Sequence, residues 1–159
     1  MVQIGDKIPD ESLGQMTAAG PGAIATGEIF DGKKVVLLGV PGAFTPTCSK
    51  IHLPGFVAQA DALAAKGVDT IACVSVNDAF VMDAWGQDQG VGDRVLMLAD
   101  GSGKFAKALG LELDLMDAGL GVRNQRYSMV VDNGVVTHLN VEPGKGCGVS
   151  SAESMLDQL

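Results

Sequence analysis

The sequence predicts an α/β domain in which helices flank a central mixed β-sheet. Two observations lead to this prediction. Short apolar runs rich in β-branched residues alternate with segments whose apolar residues recur at helical spacing. Later in the chain, two apolar runs flank Asp132-Asn133-Gly134, and an Asn-Gly pair in that setting is a strong signal for an antiparallel hairpin.

Three apolar runs predict buried strands at residues 35–40, 68–76 and 95–99. Between them, residues 46–66 predict a helix that Pro54-Gly55 interrupts. A second helix follows a cap at Asn77 or Asp78. Its shared face is predicted to carry four apolar side chains, Phe80, Val81, Ala84 and Trp85.

The remaining elements complete the order strand–helix–strand–helix–strand–helix–hairpin–helix. Residues 104–109 predict a short helix that Gly110 closes. Residues 112–125 are rich in Gly and Asp and predict irregular structure, and the hairpin strands are 127–131 and 135–141. A last helix starts near Ser150 or Ser151, with a capping box from Ser150 and Glu153. Parallel crossovers followed by an antiparallel hairpin are typical of a thioredoxin-like fold.

Composition excludes several classes of function. A chain of 159 residues suits one domain. Its formal net charge of −8 argues against binding to a phosphate backbone or to an anionic membrane. We expect neither a signal peptide nor a membrane-spanning helix. Three cysteines, an odd number, fit a reducing compartment better than a disulfide framework, so we expect a cytoplasmic protein.

The candidate chemistry centres on Cys48. It follows a predicted buried strand and opens a helix, where unpaired backbone N–H groups and the helix dipole favour thiolate over thiol. Pro46 fixes the approaching backbone, and Thr45 and Thr47 offer hydroxyl groups beside the sulfur. From this local pattern alone, a small buried structural cysteine is an equally good interpretation.

A resemblance decides between these interpretations. Pro41, Thr45 and Cys48 match the Pro-x-x-x-Thr-x-x-Cys signature of the peroxiredoxins. The longer string at residues 39–56 resembles the type II, atypical two-cysteine branch, and residues 67–85, 97–100 and 126–136 extend the resemblance over nearly the whole chain. It implies that residues 1–159 form one thioredoxin-like domain with peroxiredoxin additions. It also implies a thiol peroxidase acting on hydrogen peroxide and organic hydroperoxides.

The resemblance also implies roles for single residues. Cys48 would be the peroxidatic cysteine, whose thiolate attacks the peroxide and becomes a sulfenic acid. Thr45 would hydrogen-bond the peroxide and the thiolate, and Pro41 would exclude water. The arginine that the family places against the thiolate matches Arg126, which precedes an aromatic residue, whereas Arg123 is the second choice.

The resolving step stays open between two cysteines and an external thiol. Cys73 lies within a predicted strand and is either a buried core thiol or, as in some type II relatives, a resolving thiol. Cys147 lies in a Gly-rich loop predicted to be mobile and exposed, with Lys145 nearby, but it matches the family's resolving position only loosely. Otherwise glutaredoxin, glutathione or thioredoxin would attack Cys48 directly.

Other interpretations are weaker. Cys48 and His52 share a helical spacing used by metal ligands, but two ligands do not make a site, so we expect no metal and no cofactor. A redox sensor switched by oxidation of Cys48 remains the alternative function, with thiol–disulfide exchange a third option. By resemblance we expect a homodimer, to which Phe44 contributes a contact, and no nucleic-acid or membrane partner.

Overall fold

The computed structural model describes residues 1–159. Seven strands form one mixed sheet in the order β2-β1-β5-β4-β3-β8-β9, and β6 pairs with β7 in a separate hairpin. The strands are β1 (Ser12–Thr17), β2 (Gly20–Ala25), β3 (Lys34–Gly39), β4 (Thr70–Ser75), β5 (Leu96–Ala99), β6 (Glu112–Leu115), β7 (Gly121–Asn124), β8 (Tyr127–Asp132) and β9 (Val135–Val141).

The centre of the sheet confirms the predicted topology. Strands β3, β4 and β5 are parallel, whereas β8 runs antiparallel to β3 and forms a hairpin with β9. The turn of this hairpin places Asn133 at φ 48° and Gly134 at φ 80°, the left-handed conformations that an Asn-Gly turn adopts. Strand β3 therefore lies between a parallel and an antiparallel neighbour, and its C-terminal end leads into the Cys48 loop.

Helices cover both faces of the sheet. They are α1 (Thr26–Phe30), a π-helical segment (Cys48–His52), α2 (Leu53–Ala58), α3 (Ala60–Ala65), α4 (Ala79–Asp88), α5 (Lys104–Leu109) and α6 (Ala152–Gln158). Val36 and Leu38 face one core layer, and Val35 and Leu37 face the other. Because β3 is buried on both faces, it reads as a continuous apolar run. None of the helices combines the length and apolar character needed to cross a membrane.

The prediction of irregular structure at residues 112–125 is wrong. These residues form the β6–β7 hairpin, which is closed by a short 3₁₀-helix at Met116–Ala118. Each of the two strands has only four residues and neither is fully buried, so the sequence shows no apolar run there. The β1–β2 hairpin was also missed, because β2 is rich in Gly and Ala and mostly exposed, and β1 has only one buried residue, Leu13.

The predicted face of α4 is partly wrong. Asp78 caps the helix as expected, because its carboxylate accepts a hydrogen bond from Val81 N at 2.8 Å. However, Phe80 is 64% exposed and Ala84 is also exposed, whereas the buried side chains include Met82 and Trp85. The first turn of α4 therefore exposes the aromatic side chain of Phe80 to solvent.

The last helix begins after one of its two predicted caps. Ser151, rather than Ser150, caps α6 by accepting from Ser154 N at 3.2 Å. Ser150 is fully buried, and its hydroxyl donates to Glu142 Oε2 at 2.6 Å. The predicted capping box of Ser150 with Glu153 is therefore wrong, because a tertiary partner takes the Ser150 side chain.

Candidate active site

Cys48 lies at the start of a helical region, as predicted. Two helical residues, 46 and 47, lead into the π-helical segment, and Leu53 N donates to Cys48 O across five residues. π-Helical turns inside helices are common at functional sites. The Cys48 side chain is fully buried, so its charged form depends on neighbouring donors rather than on water.

The guanidinium of Arg126 supplies that donor. Its Nη2 donates to Cys48 Sγ at 3.1 Å, and the residue is only 7% exposed. A permanently charged donor in contact with a buried sulfur stabilises the thiolate over the thiol. The structure thus brings the sequence-predicted Arg126 to the sulfur, whereas Arg123 bonds to Pro41 in the preceding loop.

Sheet register explains why Arg126 reaches the sulfur. Tyr127 pairs with Gly39 across β8 and β3, and its ring occupies the space that a Cβ atom on Gly39 would fill. Only glycine permits this close approach. The ring is fully buried, and burial raises the pKa of the Tyr127 hydroxyl well above its usual range. The Gly39–Tyr127 contact therefore fixes the strand end from which Arg126 projects.

The loop between β3 and Cys48 is held from two sides. Arg123, the second-choice arginine, donates from Nη1 to Pro41 O at 3.1 Å. From the other side, Ala43 N donates to Asn77 Oδ1 at 3.0 Å. A Cβ atom on Gly42 would lie 2.6 Å from Arg123 Nη1, so a larger residue at this position would push the guanidinium away from the loop. Arg123 thus positions the loop instead of touching the sulfur.

Thr45 closes a turn within the same loop. Its hydroxyl donates to Gly42 O at 2.6 Å and makes no hydrogen bond with Cys48 Sγ, in contrast to the contact that the family resemblance implied. The hydroxyl proton is therefore engaged, and the Thr45 oxygen offers lone pairs to an incoming O–H group. Between these residues Phe44 adopts φ 62° and is 53% exposed.

Cys73 lies beneath the site rather than in it. It belongs to β4, next to β3, and shares with Cys48 the core layer on that face of the sheet. The side chain is fully buried, and burial, reinforced by Cys48, raises the pKa of the Cys73 thiol far above its usual range. In this conformation Cys73 is a protonated core thiol, and attack by its sulfur requires local rearrangement.

Cys147 lies in the loop before α6 and is only half-exposed, so the predicted exposure is partial. Its Sγ lies 3.8 Å from Ser150 Oγ. Burial raises the pKa of the Cys147 thiol, although the Ser150 hydrogen bond and the charge of Arg126 oppose this effect. Glu142 restrains the loop, because its Oε2 accepts from Gly148 N at 2.9 Å and Ser150 N at 2.7 Å.

His52 is a site residue whose role the sequence did not reveal. It is 1% exposed, its Nδ1 lies 3.1 Å from Arg126 Nη1, and its Nε2 lies 3.0 Å from Ser150 O. Both ring nitrogens are bonded within the protein, which leaves no lone pair for the metal pairing with Cys48 considered above. Burial and the Arg126 charge lower the pKa of His52 to about 4. Its partners lie 74 and 98 residues away, beyond the reach of any local pattern.

The site therefore combines a buried sulfur, a buried guanidinium, a helix start and a hydroxyl with free lone pairs. Such a set can stabilise a thiolate and the negative charge that develops on an oxygen leaving group. The sole tryptophan, the fully buried Trp85, holds the residue after Cys48 by donating from Nε1 to Ser49 Oγ at 3.0 Å.

Known proteins are similar to this chain in both sequence and structure. The family model described as redoxin matches residues 3–156. The chain is 50% identical over 162 residues to Peroxiredoxin-2E, chloroplastic, of Arabidopsis thaliana, covering 99% of this chain and 69% of that protein. It is 48% identical to Peroxiredoxin-2C of Arabidopsis thaliana, covering 99% and 98%. The crystal structure of reduced Prx3 from Vibrio vulnificus in complex with H₂O₂ superimposes with a TM-score of 0.95 at 56% identity, covering 99% of each chain.

Proposed function

The chain belongs to the peroxiredoxins of the redoxin family, and on that premise we propose that Cys48 is its peroxidatic cysteine. The protein is a thiol-dependent peroxidase, an antioxidant enzyme with a thioredoxin-like fold. The observation that carries the assignment is the 3.1 Å contact between Arg126 Nη2 and Cys48 Sγ. Neither Cys73 nor Cys147 makes a hydrogen bond with an arginine.

The proposed reaction is a two-electron transfer from sulfur to the peroxide. The Cys48 thiolate attacks the terminal oxygen of ROOH, an S–O bond forms and the O–O bond breaks. RO⁻ leaves and takes up a proton to give an alcohol or water, and Cys48 becomes a sulfenic acid. The Arg126 guanidinium stabilises the thiolate before attack and the leaving oxygen during it.

The loop residues are proposed to orient the substrate. The Thr45 oxygen, whose proton is held by Gly42 O, accepts a hydrogen bond from the peroxide O–H. Pro41 keeps water from the sulfur and is itself held through its carbonyl by Arg123. The relative crystallised with H₂O₂ supports hydrogen peroxide as a substrate, and organic hydroperoxides share the same reacting O–O group.

Trapping the oxidised sulfur tests the assignment. The reduced protein is treated with one equivalent of hydrogen peroxide in the presence of dimedone, and the labelled cysteine is identified by peptide mass spectrometry. We expect the label on Cys48 in the native chain and its loss in Cys48→Ser. Labelling of Cys73 or Cys147 in place of Cys48 would show that another thiol reacts with the peroxide.

Recycling is proposed to use a thiol that condenses with the Cys48 sulfenic acid and releases water. The candidates are Cys73, Cys147 or an external thiol from glutaredoxin, glutathione or thioredoxin. Peptide mapping after one equivalent of peroxide, without dimedone, separates them. A Cys48–Cys73 or Cys48–Cys147 disulfide identifies the resolving residue, and a persistent sulfenic acid refutes both and indicates a one-cysteine cycle.

We also propose a homodimer formed through the face around the active-site loop. Phe44 in the loop, Ile51 in the π-helical segment and Phe80 at the start of α4 are each more than half-exposed. Such apolar exposure suits a protein interface. Analytical ultracentrifugation of the native chain and Phe44→Asp tests this proposal, and a monomeric native chain refutes it.

The cytoplasm is the proposed compartment. The chain has three cysteines, an odd number that suits a reducing environment better than a disulfide framework. Two relatives are named chloroplastic, so the alternative is an organelle. Fractionation of the source cells followed by immunodetection distinguishes the two compartments.

A further inference from the structure

His52 is a buried ionisable side chain to which the proposed reaction gives no task. It ends the π-helical segment that Cys48 begins, and its ring packs edge-on against Phe56 with the centroids 5.6 Å apart. Its two ring nitrogens contact two different parts of the chain, Arg126 on one side and Ser150 on the other.

The chemistry of the partners fixes the histidine proton. A guanidinium can only donate, so Arg126 Nη1 donates to His52 Nδ1, which must carry a lone pair. A carbonyl can only accept, so His52 Nε2 carries the proton and donates to Ser150 O. The neutral Nε2–H tautomer satisfies both contacts, whereas a protonated ring would set an N–H against the guanidinium.

The His52 ring holds Arg126 at Nη1, the guanidinium nitrogen that does not contact the Cys48 sulfur. Nη1 is bonded to His52 and Nη2 to Cys48 Sγ, so the planar fork of the guanidinium spans the two residues. Because the fork is rigid, an acceptor fixed at Nη1 sets the direction in which Nη2 points.

Ser150 gives the ring a fixed support. Its backbone N–H and its hydroxyl both donate to Glu142 Oε2, at 2.7 Å and 2.6 Å. Burial of the Glu142 carboxyl opposes ionisation, but the hydrogen bonds from Ser150, Gly148 and Val149 outweigh it and lower the pKa of Glu142. A carboxylate therefore clamps the loop whose carbonyl holds His52.

We propose that His52 is a positioning residue that aims the Arg126 guanidinium at Cys48, with Glu142 fixing His52 through Ser150. The proposal deepens the proposed function, because it rests on the role assigned to Arg126. It extends the catalytic unit from the signature loop to the loop before α6, which also carries Cys147.

The test measures the rate constant for oxidation of the reduced protein by hydrogen peroxide, using stopped-flow fluorescence of Trp85. This rate constant is compared between the native chain and its variants. His52→Phe keeps a ring against Phe56 but removes both hydrogen bonds. We expect the rate constant to fall about tenfold, the effect of one charge-assisted hydrogen bond. Arg126→Gln is expected to lower it about 100-fold. His52→Asn, whose amide oxygen can accept at the Nδ1 position, is expected to recover most of the native rate constant.

A double-mutant cycle separates positioning from folding. If His52 acts through Arg126, His52→Phe has no further effect on the rate constant in an Arg126→Gln background. His138→Gln, which removes the only other histidine, is the matched control and leaves the rate constant unchanged. The positioning role is refuted if the fold-losses in rate constant of His52→Phe and Arg126→Gln multiply in full in the double variant. It is also refuted if His52→Phe reacts at the native rate. If Arg126→Gln itself reacts at the native rate, the proposed function of Arg126 fails instead.

The pH profile of the same rate constant is the second readout. Arg126 and His52 are the ionisable groups bonded at or next to the sulfur. The charge of Arg126 also acts on Cys73 and Cys147, and that of Glu142 acts on His52. We expect His52→Phe to move the pH of half-maximal rate upward, in the same direction as Arg126→Gln, and His52→Asn to return it toward the native value. An unchanged midpoint in His52→Phe, with a lowered rate at every pH, would indicate a purely structural role and overturn the proposal.

Discussion

Acidification is expected to destabilise this protein through His52 before its carboxylates titrate. The pKa of His52 is lowered from 6.5 to about 4, first by burial and then by the Arg126 charge. In the unfolded chain the imidazole takes up a proton near its ordinary pKa, whereas in the folded chain it stays neutral. The unfolded state thus binds more protons between these two values, so the free energy of unfolding falls as the pH falls through that window.

The unfolded and folded pKa values of His52, 6.5 and about 4, determine how much stability is lost. Relative to neutral pH, the free energy of unfolding decreases by about 2 kcal/mol at about pH 5 and by about 3 kcal/mol at about pH 4. His52 is 1% exposed, so solvent screening reduces this effect little. Glu142, whose pKa is lowered, contributes stability that is lost only as the pH falls below the usual carboxyl range.

Urea unfolding followed by Trp85 fluorescence measures the effect, at about pH 7.5 and about pH 5, for the native chain and His52→Phe. The variant has no group to titrate at this position, so the stability gap between the two chains is expected to shift in favour of the variant by about 2 kcal/mol on acidification. His52→Gln serves as a second variant if the phenylalanine packs poorly. A gap of equal size at both pH values would refute the lowered pKa and the neutral-ring assignment.

Two further perturbations test the frame around the site. Gly39→Ala places a methyl group inside the Tyr127 ring. We expect this variant to lower the free energy of unfolding by about 3 kcal/mol or more in urea titrations. The control Gly144→Ala adds its methyl group in open space and is expected to change the free energy of unfolding little. Native-like stability of Gly39→Ala would contradict the close packing. Glu142→Ala removes the acceptor that restrains the loop before α6, so iodoacetamide is expected to alkylate Cys147 about tenfold faster in a chain whose other two cysteines are serine. Equal alkylation rates would show that Glu142 does not restrain the loop.

Sequence reasoning succeeded where local signals and buried strands coincide. Residues 35–40 and 68–76 are continuous apolar runs because both faces of β3 and β4 are covered, and Asn133-Gly134 has the conformation that its turn demands. It failed at residues 112–125, where four-residue strands lie at the surface and no burial pattern forms. It also failed for Phe80, because nothing local distinguishes a core aromatic residue from one that is exposed.

The site residues, too, include some that sequence signals predicted and some that they did not. The signature residues Pro41, Thr45 and Cys48 lie within eight residues, and the family resemblance pointed to Arg126 through its aromatic neighbour. His52 could not be connected to Ser150 from sequence, because the two residues lie 98 positions apart. No local pattern indicates the bond from Ser150 to Glu142 either. Ser150 also carries a capping-box pattern with Glu153, and its tertiary bond to Glu142 overrides that local preference.

Peroxide consumption with excess dithiothreitol tests the central claim most directly, comparing the native chain with Cys48→Ser, Cys73→Ser and Cys147→Ser. Dithiothreitol reduces the oxidised sulfur whichever thiol normally resolves it, so only loss of the attacking thiolate stops turnover. We predict that Cys48→Ser abolishes rapid turnover while the other two variants retain it. Turnover by Cys48→Ser at the native rate would contradict the assignment of Cys48 and of the site built around it.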